Sequence, residues 1–229
     1  MMKKRTKIIS AVIAGTAILI GGIWMINESR YPDVPAFDDH FTREFLNKDK
    51  KVDDGFYEFK SKTGQYTMWF PEEYQLLHDN EQQYVKDGDF YERWKATSAK
   101  KHKEESQLNY LQVKLSESNP DDESIYVESL FKDEFGVNKP EKLETANTRI
   151  YYDTGYLYFK GTEEHVIHDE NKHAPNTYIA YVADKRSNKV IELWFDDSLN
   201  NQVGKESEKR EWFVEILNSI HFNEGKKYE

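Results

Sequence analysis

Phe56-Tyr57-Glu58-Phe59-Lys60-Ser61, then Lys62-Thr63-Gly64, then Gln65-Tyr66-Thr67-Met68-Trp69-Phe70 make two alternating runs around three turn residues, and Pro71 ends the second. Successive side chains of a strand point to opposite faces, so Tyr66, Met68 and Phe70 share one face. Two such runs around a short glycine-containing loop read as a β-hairpin. A loop this short can join only antiparallel strands, so the fold starts as an antiparallel sheet.

Toward the C-terminus the alternation continues. Asp89 to Thr97 and Gln107 to Ser116 read as a second hairpin, with Leu111, Val113 and Leu115 on one face and Tyr110 and Gln112 on the other. Arg149 to Tyr152, Tyr156 to Lys160, Thr177 to Ala183 and Val190 to Phe195 supply four more strands. Two segments change to helical period. Asn119-Pro120-Asp121-Asp122 offers a cap, a proline at the first helical position and acids in the first turn. Val127, Leu130, Phe131, Glu134 and Phe135 then share a face, and Gly136 ends the helix. Ser207 to Ile220 carries a stripe of Trp212, Phe213, Ile216, Leu217 and Ile220. Hairpins, a helix, further strands and a closing helix predict an α+β domain, an antiparallel β-sheet covered by helices, over residues 55–222, with 223–229 as a tail.

Toward the N-terminus, Phe37, Phe41 and Phe45 are spaced for a short helix, while the prolines of Tyr31-Pro32-Asp33-Val34-Pro35 stop any helix from continuing through them. Residues 27–54 read as a juxtamembrane stalk. Before them Ile8 to Ile26 is an uncharged run of 19 residues; at ~1.5 Å per residue a helix of that length reaches about 28 Å and can span a bilayer. Lys3, Lys4, Arg5 and Lys7 precede it, so residues 1–7 are expected in the cytoplasm and the remainder outside, the chain being a single-pass protein of the cell membrane. A signal peptide has a shorter apolar core and a small-x-small cleavage site, which Gly22-Ile23-Trp24-Met25-Ile26 lacks. Ala11, Gly15 and Gly22 place small residues along one helix face that Ile18 shares, a surface for dimerisation in lipid.

The stretch Phe59 to Pro71 and the ending Trp212-Phe213-Val214-Glu215-Ile216-Leu217-Asn218-Ser219-Ile220-His221-Phe222 resemble the PsbP-like domains of bacterial exported proteins. The resemblance covers about Gly55 to Phe222, and its motifs are structural: a strand ending in Phe-Pro and a last helix running into Ile-x-Phe. It implies a binding or assembly role and carries over no catalytic residue. Many members are held to the membrane by a lipidated cysteine; this chain departs from them by containing none.

The absence of cysteine also excludes disulfides, cysteine-ligated metals and thiol nucleophiles. The whole chain carries 32 basic and 42 acidic residues, net -10, and without the four charges before the apolar run residues 27–229 carry -14. Such a domain has no field for nucleic-acid phosphates. Arg93, Lys95, Lys100, Lys101, His102 and Lys103 are the one basic concentration beyond the anchor's flank, diluted by Glu92, Glu104 and Glu105.

Candidate chemistry is sparse. His165, His168 and His173 are three of the chain's seven histidines and stand among carboxylates, a ligand set for a metal-dependent hydrolase. Ser129-Leu130-Phe131-Lys132 and Lys62-Thr63-Gly64 match fragments of penicillin-recognising enzymes in the wrong order. The sequence contains no G-x-S-x-G, H-E-x-x-H, Walker A or G-x-G-x-x-G motif. Tyr156, Tyr158, Tyr181 and Trp194, if solvent-facing, form a platform for sugar rings or an extended peptide. The leading expectation is a non-catalytic extracytoplasmic binding or assembly module of the bacterial envelope, without a cofactor and with an envelope protein as partner. Recognition of wall glycan or peptide, and metal-dependent hydrolysis, are the alternatives.

Overall fold

A computed structural model describes residues 29–98, 110–133, 135–169, 172–197 and 206–224. The apolar run 8–26, with Ala11, Gly15 and Gly22, lies outside these residues, as do residues 1–7, Lys100, Lys101, His102, Lys103 and 225–229. Among the described residues no helix is long and apolar enough to cross a membrane.

In chain order the elements are α1 (Pro35–Asp38), α2 (His40–Arg43), β1 (Leu46–Asp53), β2 (Phe56–Lys60), β3 (Tyr66–Pro71), β4 (Tyr74–Leu76), β5 (Tyr84–Asp87), β6 (Tyr91–Ser98), β7 (Tyr110–Glu117), α3 (Glu123–Glu128, entered by a 3-10 turn and followed by a π-helical turn), β8 (Glu141–Glu144), β9 (Thr148–Lys160), β10 (Glu163–Ile167), β11 (Thr177–Asp184), β12 (Lys189–Asp196), α4 (Glu206–Ser219) and β13 (His221–Phe222). Among the described residues the strands form two sheets. A small one has the order β1-β2-β3-β13, and a large one runs β10-β9-β11-β12-β7-β6-β4, with β5 beside β6 and β8 beside β9. The strand pairs are antiparallel, as the short loops require.

The hairpin around Lys62-Thr63-Gly64 supplies β2 and β3, and Tyr66, Met68 and Phe70 are all buried in the main core. They meet Trp94, Leu111, Val113, Leu193 and Phe195 from the large sheet. Phe213, Ile216 and Leu217 of α4 complete that core, so α4 and the small sheet together cover one face of the large sheet. On the opposite face Val127, Leu130, Phe131 and Phe135 of the α3 segment pack on Ile179, Tyr181, Ala183 and Val190. Every residue of β11 is buried because it lies between the two covering layers.

Asn119 caps the α3 segment through the Asp121 amide at 3.2 Å, and Gly136, at φ +75°, ends it. Sequence and structure differ at the N-terminal boundary. Ala36, Phe37 and Phe45 are buried, Asp39 caps α2 by accepting from the Thr42 amide at 2.7 Å, and β1 pairs with β2. Residues 35–53, expected as stalk, are therefore part of the domain. The polar sequence of β1 concealed it, since an edge strand has one neighbour and leaves most of its side chains in solvent.

Candidate functional site

β9 is longer than its neighbour. Thr148 to Gly155 pair with β11, while beyond Gly155 the strand continues with β10. Asn176 substitutes for the missing ladder: the Leu157 amide donates to Asn176 Oδ1 at 2.7 Å, and Asn176 Nδ2 donates to the Leu157 carbonyl at 2.9 Å. Gly161, at φ +68°, opens the two-residue loop, the conformation that tight hairpin turns demand. The result is a two-stranded arm projecting past the sheet. Residues 163–167, where the alternation marked no strand, are its second strand.

Period two puts Tyr156 and Tyr158 on one face of the arm, and the register sets His165 directly opposite Tyr158. The rings stack in a row. His173 lies over Tyr156 at 4.5 Å between centroids and 16°, Tyr156 follows Tyr158 at 6.0 Å and 27°, and Tyr158 faces His165 at 5.3 Å and 25°. An isolated ribbon of two strands is marginal in water, and cross-strand ring pairs of this kind are what hold one together. On the opposite face Phe159 is 66% exposed.

Two separate expectations thus merge: two candidate metal ligands and two candidate platform tyrosines form one stack. His165 Nε2 is 3.7 Å from Glu163 Oε2, too far for a hydrogen bond. His168 leaves the group, its Nδ1 facing the Thr154 carbonyl at 3.2 Å and its Nε2 the Phe135 carbonyl at 2.9 Å. Among the described residues no group of three His, Cys, Asp or Glu side chains is placed to hold a metal ion. The other two platform residues face inward. Tyr181 is 2% exposed beneath α3, where burial pushes its phenol up to about 12 and its hydroxyl lies 3.4 Å from Ser118 Oγ. Trp194 packs into the same cluster, edge-on to Phe135 at 6.4 Å. Tyr181 and Trp194 share one face of the large sheet, but α3 covers it, so the condition of solvent exposure is not met there.

What remains on the arm is a row of flat, half-exposed rings beside a strand that pairs on one side only among the described residues. Such a surface can bind by stacking and by main-chain hydrogen bonding. Phe159 and the stacking role of the histidines went unread in the sequence, although a hairpin centred on Gly161-Thr162 pairs residue 158 with 165.

Residues 32–221 match the model of a protein family described as "Putative lipoprotein YvcA". No curated protein matches the sequence. Among solved structures, the solution structure of cyanobacterial PsbP (CyanoP) from Synechocystis sp. PCC 6803 is similar at 10% identity and a TM-score of 0.44, over 76% of this chain and 95% of that one.

Proposed function

The chain belongs to this lipoprotein family, and from that premise we propose that it is a non-catalytic binding or assembly module at the extracytoplasmic face of the bacterial cell membrane, its β9–β10 arm engaging a protein partner. A lipoprotein description conflicts with a sequence that contains no cysteine to acylate. The apolar run 8–26 with its basic flank takes over the tethering role in this reading, as a single-pass anchor.

The observation that carries the reading is the arm itself. It exposes Tyr158 and Phe159 on opposite faces, stacks four rings in a row, and ends the large sheet in a strand edge open to an extended segment. The test places a photo-crosslinking phenylalanine analogue at position 159 of the full chain in its native membrane, with position 79, near the far end of the large sheet, as control. A protein adduct at 159, absent at 79 and lost in the Tyr156→Ala, Tyr158→Ala double variant, is the expected result. No adduct at 159, or one indifferent to the rings, overturns the reading. Sugar recognition uses the same rings, and cell-wall pulldown that depends on Tyr158 without any protein adduct would favour it instead.

A further inference from the structure

A cleft of about 690 Å³ lies on the far side of the large sheet, between α3 and the turn leading into β8. Its volume falls within the ~300–1,000 Å³ of ordinary small-ligand sites. Val127, Val137 and Tyr151 form an apolar floor over the fully buried Phe131, and Lys132, Lys139 and Lys142 stand around it with Glu128 as the one acid among the lining residues. That is a local excess of positive charge in a protein whose net charge is -10.

The neighbouring acids are engaged elsewhere. Glu123 is held by Arg149 at 2.5 Å, Glu144 by Lys185 at 2.8 Å, and Glu141 by Arg210 and, at 2.6 Å, by the Tyr152 hydroxyl. Glu128 is matched by Lys132 at 2.7 Å. Lys142 reaches over the Tyr151 ring, its Nζ 5.0 Å from the centroid, and Lys139 has no ion-pair partner among the described residues. Two cations without an ion-pair contact among the described residues therefore flank an apolar trough, Lys142 also lying within the field of Glu123 and Glu144.

We propose that this cleft binds a single-chain anionic amphiphile of fatty-acid type, its tail on Val127, Val137 and Tyr151 and its carboxylate between Lys139 and Lys142. Helix, loop and strand each wall one side, so the site takes one chain rather than a bilayer surface. The complementarity has two parts: apolar area removed from water by the tail, and a charge-assisted hydrogen bond to the head.

The full chain in native membranes is given a diazirine-bearing hexadecanoic acid, the corresponding hexadecanol, and a phosphatidylglycerol with the same diazirine on one acyl chain, and the labelled peptides are mapped by mass spectrometry. The acid should label residues 124–142, about fivefold more than the alcohol, and lose about that factor in the Lys139→Glu, Lys142→Glu variant. Both lysines are exposed, and an unchanged melting temperature confirms that the variant folds. Labelling confined to the apolar run 8–26, equal labelling by acid and alcohol, or indifference to the charge reversal overturns the proposal. Equal labelling by phosphatidylglycerol makes the site a bilayer contact and overturns it as well. The arm lies in other residues, so this outcome is independent of the crosslinking test.

Discussion

Gly155 sits where three side chains converge. A Cβ there would lie 2.7 Å from Val166 Cγ1, 3.1 Å from His168 Cε1 and 3.1 Å from Phe135 Cζ. Gly155→Ala should therefore cost about 1–3 kcal/mol by overpacking, read as a lower urea midpoint at unchanged slope. A second residue-scale prediction concerns Trp94, whose Nε1 donates to the Tyr66 hydroxyl at 2.8 Å with both side chains fully buried. Burial beside Glu92 raises the Tyr66 phenol well above its usual 10.0, so it stays a neutral acceptor. Tyr66→Phe leaves the indole N–H without a partner and should lower stability by about 1–3 kcal/mol in the same measurement. Trp94 and Ala96 share a buried face of β6; Glu92, in phase with them, was not legible as a buried acid. It accepts from Ser61 Oγ at 2.5 Å and the Lys62 amide at 3.1 Å, both far away in the sequence, and from the Tyr84 hydroxyl at 3.0 Å on the neighbouring strand.

At the scale of elements, α3 is fastened to the sheet by charge as well as by its apolar face. Arg149 binds Glu123 through Nε at 2.9 Å and its Nη2 at 2.5 Å, and the Tyr151 hydroxyl adds a bond at 2.9 Å. The Arg149 bond first, then that of Tyr151, holds the Glu123 carboxyl below its ordinary 4.5. A depressed carboxyl stabilises above the unfolded-chain value and loses that contribution as pH falls through the native one. Acidification below about 4.5 should thus lower the amide-exchange protection factors of residues 123–133, taken against the intrinsic rate at each pH, and Glu123→Gln should remove that pH dependence while weakening the segment by roughly 1–2 kcal/mol at neutral pH. The α3 segment was legible because proline, cap and terminal glycine all mark it. β1, β8 and β10 were not, because they are polar edge strands in which a period-two apolar signal has no cause to arise. The metal and platform candidates parted for a related reason: alternation states which residues share a face but not which layer will cover it.

Across the whole molecule, the apolar alternation predicted an antiparallel sheet with helices on it, and two covering layers are what the structure shows. The division into sheets was hidden, since β13 is only two residues long. His221 and Phe222 pair with Thr67 and Tyr66, and the Trp69 amide donates to Ser219 Oγ, 150 residues apart in the chain. Closing so wide a loop costs entropy before any contact rewards it, and such contacts form late. A chain stopped at residue 205 lacks Phe213, Ile216, Leu217 and Phe222 from the core and should be digested by protease, whereas one reaching residue 224 should resist. Synthesis therefore delivers the clasp of the small sheet last. If the polypeptide is threaded through a membrane as proposed, that lateness would act as a timer, keeping the chain slack enough to pass until residues 206–222 have followed it through.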